Sequence, residues 1–209
     1  MIIKICGIKN KDTLLCCENN KVDFFGMIFY SNSPRNITIE NAKQIQEWSK
    51  DLNINGVGVF VDENIEFITR YIKMLNLKYV QLHGKENNNY ISSLKNIGVK
   101  VIKKISIKIK RDLDNVKNYK DSDFFLFDYK PKSNELPGGN AKSFDWNIVK
   151  NFKHEKPWFL SGGINVDNIG MIKNEINPIG IDLSSGVEKE LGIKDNQIIN
   201  NFVDNLNNA

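Results

Sequence analysis

Residues 2–10, Ile-Ile-Lys-Ile-Cys-Gly-Ile-Lys-Asn, decide the fold class, because they join a first strand to the turn that follows it. Residues 2–6 are short, apolar and β-branched, which predicts a strand. An open, doubly wound sheet would follow this strand with a Gly-x-Gly-x-x-Gly turn, in which the glycines let the backbone approach a dinucleotide. Residues 6–10 supply only Gly7. The turn therefore disfavours the open sheet, and a closed barrel is the expected alternative.

The same strand-then-helix pattern recurs along the whole chain. Short β-branched segments alternate with longer amphipathic ones, whose apolar residues recur at helical spacing. The predicted strands are residues 2–6, 24–29, 55–61, 79–82, 99–105, 124–128, 158–161 and 180–183. Asp12 and Thr38 are the expected N-caps of the first two helices. Eight strand–helix units without a linker predict one α/β domain over residues 1–209, a (β/α)8 (TIM) barrel.

The charge and hydropathy patterns argue against two classes of partner. The 29 basic and 25 acidic residues are interspersed and leave a net charge of +4, so we expect no nucleic-acid partner. The densest basic stretch, residues 95–120, is expected to be a solvated face. No run approaches the roughly 18 apolar residues of a membrane helix, and the apolar start of the chain is too short for a signal peptide. We therefore expect no membrane partner.

The cysteines and histidines predict neither a disulfide nor a metal site. Cys6, Cys16 and Cys17 are an odd set without zinc-site spacing, and two adjacent cysteines do not easily bridge to each other. His83 and His154 lie far apart along the chain. We expect reduced thiols, no metal, and a reducing, cytoplasmic location.

Glycine-rich loops follow the last two predicted strands. The first is Ser161-Gly162-Gly163-Ile164-Asn165, and the second is Ser184-Ser185-Gly186. Glycine lets backbone N–H groups approach an anion, and a following helix offers its positive end. Because the loops after strands 7 and 8 often bind phosphate in barrels, Gly162, Gly163, Ser185 and Gly186 are candidate phosphate ligands.

Two groups capable of proton transfer end strands 1 and 6. Alternation along strand 1 puts Cys6 on the same face as Lys4, whose ammonium would favour the thiolate, although Lys4 could instead pair with a carboxylate. Asp128 ends the apolar run 124–127, where it is either an N-cap or an acid/base group with a pKa raised by burial. Since the two strands face each other across the barrel mouth, Cys6 and Asp128 are expected to flank one small substrate.

Two further side chains are candidate substrate ligands. Arg35 follows Ser33-Pro34 in the loop after strand 2, and a guanidinium binds a planar carboxylate through two parallel hydrogen bonds. A solvated loop arginine is the alternative interpretation. His83 follows strand 4 at the mouth and is expected to contact the substrate.

Together these segments resemble the phosphoribosylanthranilate isomerase family over nearly the full chain. The resemblance rests on Lys4-Ile-Cys-Gly-Ile8, Ser33-Pro-Arg35, Val57-Gly-Val-Phe-Val61, Gln81-Leu-His-Gly84, Phe144-Asp-Trp146, Ser161-Gly-Gly-Ile164, Ser184-Ser-Gly-Val-Glu188 and Gly192-Ile-Lys-Asp195. The sequence departs from the family pattern at several positions. Ala141 stands where a loop glycine is usual, Ser161 and Ile164 replace the commoner Ala and Leu beside Gly162 and Gly163, and Leu191 replaces a usual proline.

The resemblance implies a TIM barrel that catalyses an Amadori rearrangement without cofactor or metal. The substrate would be N-(5-phospho-β-D-ribosyl)anthranilate and the product 1-(2-carboxyphenylamino)-1-deoxy-D-ribulose 5-phosphate, in tryptophan biosynthesis. The implied roles are general acid for Asp128, general base for Cys6, carboxylate ligand for Arg35, and phosphate cradle for the glycine loops.

Two other functions stay open. One is another phosphate-binding barrel, such as indole-3-glycerol phosphate synthase or a histidine-pathway isomerase. The synthase would want a catalytic lysine and glutamate set, and the histidine-pathway enzymes an aspartate where Cys6 ends strand 1. The other is an inactive barrel that senses a phosphorylated metabolite. The expected oligomeric state is a monomer, with a dimer as the alternative.

Overall fold

Eight parallel strands pair in chain order and close on themselves in the computed structural model, which describes residues 1–208. Strand β1 also pairs with β8, where Lys4 lies opposite Asp182, and this last pairing closes the barrel. The strands are β1 (Ile2–Cys6), β2 (Phe24–Phe29), β3 (Asn55–Phe60), β4 (Tyr79–Leu82), β5 (Lys100–Ile107), β6 (Phe124–Tyr129), β7 (Trp158–Leu160) and β8 (Gly180–Leu183). The predicted (β/α)8 barrel is confirmed.

Helices follow most strands and cover the outside of the barrel. The α-helices are α1 (Lys11–Asn19), α2 (Ile39–Ser49), α3 (Ile65–Leu75), α4 (Asn88–Lys95), α5 (Ile169–Met171, continued as a π-helix over Ile172–Ile176) and α6 (Asn196–Asn208). Shorter 3-10 helices span Lys110–Asn118, Trp146–Ile148 and Ser185–Val187. No helix within residues 1–208 has the length and apolar character needed to cross a membrane.

The predicted cap of α2 is confirmed, and that of α1 is wrong. Thr38 accepts a hydrogen bond from the backbone N–H of Asn41 at 3.3 Å, as an N-cap should. In α1 the cap is Asn10, whose side chain accepts from the N–H of Thr13 at 2.9 Å. Asp12 lies inside the first turn instead, where its negative charge favours the helix N-terminus.

The expectation of a solvated face over residues 95–120 fails at Lys103 and Lys104, which are both buried. The Lys103 ammonium donates to Glu86 and to the carbonyl of Gly84, each at 2.7 Å. Lys104 donates to the carbonyl of Pro137 at 3.0 Å. A central barrel strand is covered on both faces, so lysines in β5 need internal acceptors.

A short antiparallel hairpin, which the sequence did not predict, follows β8. It consists of β9 (Glu188–Glu190) and β10 (Ile193–Lys194), joined by a turn in which Gly192 has a φ of +81°. Strands of three and two residues are too short to show a period-2 pattern. The hairpin carries Glu188 and Lys194 back to the barrel mouth.

Candidate active site

The side chains predicted to carry the chemistry line one cavity at the C-terminal mouth of the barrel. The cavity opens to solvent, has a volume of about 550 Å³ including that opening, and is lined by Cys6, Arg35, His83 and Asp128, which follow or end four different strands. Its walls are otherwise largely apolar, with contributions from Ile28, Val59, Val61 and Leu136. Electrostatic interactions and hydrogen bonds are stronger in such apolar surroundings than in water.

A second, more polar cavity of about 380 Å³ adjoins the first. Asp128, Ser161, Asp182 and Ser184 line both cavities. Gly162, Gly163 and Ser185 line the second one, as expected for backbone groups that approach a ligand. Gly162 and Gly163 have φ values of +89° and +72°, in the left-handed region where a side chain is strained.

Gly186 lies differently from the expectation. It does not line either cavity, and a β-carbon built on it would stand 1.9 Å from the carbonyl oxygen of Ile164. Its lack of a side chain therefore serves the packing of two loops. The expectation that a helix follows each glycine loop directly holds for only one of them. A 3-10 turn begins at Ser185, but α5 begins at Ile169, six residues after Gly163.

The loop after β6 covers both cavities. Gly138 and Gly139 line both cavities, and Ala141 lines the second. Ala141 has a φ of +54°, a left-handed conformation that costs an L-residue roughly 1–2 kcal/mol and a glycine little. The departure from the family loop therefore places strain in this segment.

Cys6 lies beside a buried ion pair rather than beside an uncompensated ammonium. The Lys4 ammonium is 2.8 Å from Asp182, which confirms the alternative in which Lys4 pairs with a carboxylate. Burial raises the pKa of the Cys6 thiol, and the opposing effect of Lys4 does not overcome it. Lys4 therefore favours the thiolate as expected, but burial outweighs it.

The raised pKa predicts how Cys6 responds to pH. The thiolate is the nucleophile, so the rate of Cys6 alkylation by iodoacetamide should keep rising through pH 9 and above. A short unstructured peptide with one cysteine and blocked ends is the control, because its rate should level off above an ordinary thiol pKa of about 8.5. Trypsin cuts after Lys4 and Lys9 and so separates Cys6 from the other cysteines for mass spectrometry. A Cys6 rate that levels off below pH 8 would contradict the prediction.

Asp128 is held by its own backbone and by His83. One carboxylate oxygen accepts from the N–H of Tyr129 at 2.8 Å, and the other lies 3.3 Å from Nε2 of His83. The N-cap alternative does not apply, because no helix begins at Asp128.

The hydrogen bonds of His83 fix its tautomer. Nε2 lies 3.1 Å from the carbonyl oxygen of Pro137, which can only accept, so Nε2 carries a proton. Nδ1 lies 3.0 Å from the amide nitrogen of Gln81 and accepts its hydrogen. Burial lowers the pKa of His83 although Asp128 opposes this, which favours the neutral ring. The Nε2–H group of His83 therefore bonds the Pro137 carbonyl, and the Asp128 carboxylate lies 3.3 Å from the same nitrogen.

Arg35 is buried, and most of its guanidinium group is already bonded to a carboxylate of the protein. Its side chain is 2% exposed, and Nε and Nη2 each donate to Glu188 at 2.7 Å. Burial acts to raise the pKa of Glu188, but Arg35 and Lys194 outweigh it and lower that pKa to about 2. Nη1 faces Gly139, where a side chain would collide with it. The guanidinium edge bearing Nη1 is thus the part left for a ligand.

Sequence reasoning missed the charged residues that complete the site. Asp182 pairs with Lys4, Glu188 pairs with Arg35, and Lys194 pairs with Glu188. All three of these missed side chains are buried or nearly so. A signal was present for Asp182, since alternation along β8 puts it on the inward face at the level of Lys4. Glu188 and Lys194 had no comparable signal, because they depend on the short hairpin.

The fold and the site together define a (β/α)8-barrel enzyme, whose polar groups gather from different strand ends at the C-terminal mouth. A family model described as N-(5'phosphoribosyl)anthranilate (PRA) isomerase matches residues 3–205. The chain belongs to this PRA isomerase family.

Similar proteins of known name agree with this membership. The N-(5'-phosphoribosyl)anthranilate isomerase of Clostridium acetobutylicum is 36% identical over 203 residues, covering 96% of this chain and 95% of that protein. The enzyme of the same name from Thermoanaerobacter sp. is 37% identical over 204 residues, covering 98% and 97%.

Solved structures extend the similarity to the backbone. The crystal structure of phosphoribosyl anthranilate isomerase from Thermotoga maritima superposes with a TM-score of 0.89 at 31% identity, covering 100% of both chains. A phosphoribosyl anthranilate isomerase in complex with reduced 1-(o-carboxyphenylamino)-1-deoxyribulose 5-phosphate superposes with a TM-score of 0.85 at 30% identity, also over 100% of both chains.

Proposed function

We propose that this protein isomerises N-(5-phosphoribosyl)anthranilate to 1-(2-carboxyphenylamino)-1-deoxyribulose 5-phosphate, a step of tryptophan biosynthesis. The observation that carries the proposal is that Cys6 and Asp128 line one cavity, with Arg35 also lining it and Gly162 and Gly163 in the adjoining polar cavity. Membership of the PRA isomerase family supports the same reaction.

The two cavities suit the two anionic ends of such a substrate. We assign the phosphate to the polar cavity, where Gly162, Gly163 and Ser185 offer backbone N–H groups. The aromatic ring fits the apolar walls of the first cavity, and its carboxylate the free edge of Arg35. The relative that binds a reduced carboxyphenylamino-deoxyribulose phosphate supports a ligand of this kind.

The proposed chemistry consists of proton transfers. Asp128 donates a proton to the ring oxygen, the bond from that oxygen to C1 breaks, and the nitrogen lone pair forms a C1=N iminium. Cys6 then removes the proton from C2, the electrons of that C–H bond form C1=C2, and the C1=N electrons return to nitrogen. The resulting enolamine becomes the ketone when C1 gains a proton and the C2 hydroxyl loses one. The positive iminium favours the Cys6 thiolate at the moment it is needed, which opposes the effect of burial on the pKa of the thiol.

The activity is tested with purified protein and freshly made phosphoribosylanthranilate. We expect the anthranilate-type fluorescence to decay with enzyme present, and we expect the coding sequence to restore growth of a tryptophan auxotroph that lacks this step. Binding without turnover would instead indicate an inactive phosphometabolite-binding barrel. If the protein neither binds nor converts the compound, the proposed substrate is excluded.

Replacing Arg35 should weaken substrate binding more than turnover. In Arg35→Ala, Glu188 keeps its bond to Lys194, so no buried carboxylate is left without a partner. A lost charge-assisted hydrogen bond of about 1.5–3 kcal/mol should raise KM by roughly 10- to 100-fold. Arg70→Ala, which removes an exposed arginine of α3, is the control and should leave KM unchanged. A normal KM in Arg35→Ala would remove Arg35 from substrate binding.

The cellular setting and the oligomeric state follow as further parts of the proposal. A base that works as a thiolate needs a reduced cysteine, which favours the cytoplasm. We propose a monomer, with a dimer as the alternative. The Thermotoga maritima isomerase is described as dimeric. Light scattering of the purified protein decides between a monomer and a dimer.

A further inference from the structure

The hairpin β9–β10 carries a buried lysine that the proposed reaction does not use. Lys194 is 2% exposed, although it lies in a short strand at the edge of the barrel. A buried ammonium is costly unless oxygen atoms surround it, so its partners define its role.

Three oxygen atoms surround the Lys194 nitrogen. It donates to Glu188 at 2.6 Å, to the carbonyl oxygen of Ser184 at 2.9 Å, and to the hydroxyl of Ser184 at 3.2 Å. An ammonium has three N–H donors, whereas a neutral amine has two. The three acceptors therefore match the charged form of Lys194.

Ser184 continues this network to the proposed base. Its hydroxyl accepts from Lys194 and donates to the carbonyl oxygen of Cys6 at 3.1 Å. Lys194 thus holds the loop after β8 against the end of β1. The same lysine therefore fixes the backbone that carries the thiol.

The positive charge of Lys194, which lies near Cys6, is only partly neutralised by a carboxylate. Glu188 is shared between Lys194 and Arg35, so these three residues carry a net positive charge. Lys4, by contrast, has Asp182 to itself at 2.8 Å. The titratable and charged groups around Cys6 are Lys4 on β1, Arg35 after β2, His83 after β4, Asp128 on β6, Asp182 on β8, and Glu188 and Lys194 on the hairpin.

We propose that Lys194 is a positioning residue for the general base: it fixes the backbone of Cys6 through Ser184 and supplies the cation that favours the thiolate. This inference rests on the proposed function in naming Cys6 as the base. Burial is the largest influence on the pKa of the Cys6 thiol and raises it, and the Lys194 ammonium acts in the opposite direction.

The test is the pH dependence of Cys6 alkylation by iodoacetamide in Lys194→Met, followed on the tryptic peptide of residues 5–9. Glu188 keeps both bonds to Arg35 in this variant, so the substitution leaves no isolated carboxylate. We expect the curve to move to higher pH, with alkylation about tenfold slower at a fixed pH on its rising part, since one pKa unit is tenfold in thiolate. We expect kcat to fall by a similar factor and KM to stay within about threefold, because Arg35 keeps its partner.

Two variants control this experiment. Lys189→Met removes an exposed lysine of the same hairpin and should leave both the curve and kcat unchanged. Lys194→Gln keeps a polar side chain that can donate to Ser184 but carries no charge, and it should shift the curve as Lys194→Met does. It replaces Lys194→Met as the decisive variant if the latter does not fold, as judged by thermal melting.

The outcomes separate this inference from the proposed function. A folded Lys194 variant with an unchanged alkylation curve overturns the inference, even if kcat falls, since a purely structural role would lower kcat without moving that curve. A wild-type protein without isomerase activity overturns the proposed function, while the alkylation curves still show whether Lys194 acts on the thiol.

Discussion

Replacing Cys6 by serine should lower kcat by about 10²- to 10⁴-fold, the usual contribution of a general acid or base. A serine hydroxyl is close in size to the thiol but is a far weaker acid, so it offers almost no anionic base. Cys6 is 5% exposed, with its sulfur beside the Lys4–Asp182 pair, and no other thiol lines the cavity. Loss of turnover should therefore come without loss of folding. Steady-state kinetics with phosphoribosylanthranilate, and thermal melting of the same samples, measure both.

The control for Cys6→Ser is Cys16→Ser. Cys16 lies on α1, away from the mouth, and its sulfur contacts Asn200. The same chemical change there should leave kcat within about twofold. A Cys6→Ser enzyme that keeps more than about a tenth of wild-type kcat would exclude Cys6 as the base.

Replacing Asp128 by asparagine should lower kcat by a similar factor of about 10² to 10⁴. The amide keeps the shape of the carboxyl and can still accept from the N–H of Tyr129, but it cannot donate an acidic proton to the ring oxygen. Because the substitution leaves Arg35 and the glycine loops in place, substrate binding should change little. The expected result is a large fall in kcat with a dissociation constant for a reduced product analogue within about fivefold of wild type.

The control for Asp128→Asn is Asp204→Asn on the exposed face of α6, which should leave kcat unchanged. Loss of analogue binding in Asp128→Asn, in parallel with kcat, would assign the residue to binding instead of proton transfer. A kcat within tenfold of wild type would exclude it as the acid.

Strand positions were predictable because the signal for them is local. β1, β2, β4 and β8 have the predicted bounds, since each is a short β-branched or apolar run between polar segments. β5 extends to Ile107 because it pairs with β6 up to Tyr129, and pairing is not visible in one strand's sequence. The segment after β6 forms a short 3-10 helix, and the segment after β7 forms a three-residue α-helix continued as a π-helix; the weak local periodicity of the sequence could not distinguish these from regular α-helices.

The sequence by itself determined the closed barrel and the positions of Cys6, Asp128, Arg35 and His83 at strand ends, because alternation and strand order act locally and repeat eight times. Only the tertiary structure decided which charged partners surround these groups. Lys4 pairs with Asp182 and Arg35 with Glu188, and these partners are 178 and 153 positions apart along the chain. Lys194 contacts Ser184 and Glu188, which are 10 and 6 positions away, only because the hairpin folds back on the loop after β8. Charge interactions and burial depend on distance in space, and one-dimensional spacing does not contain that distance.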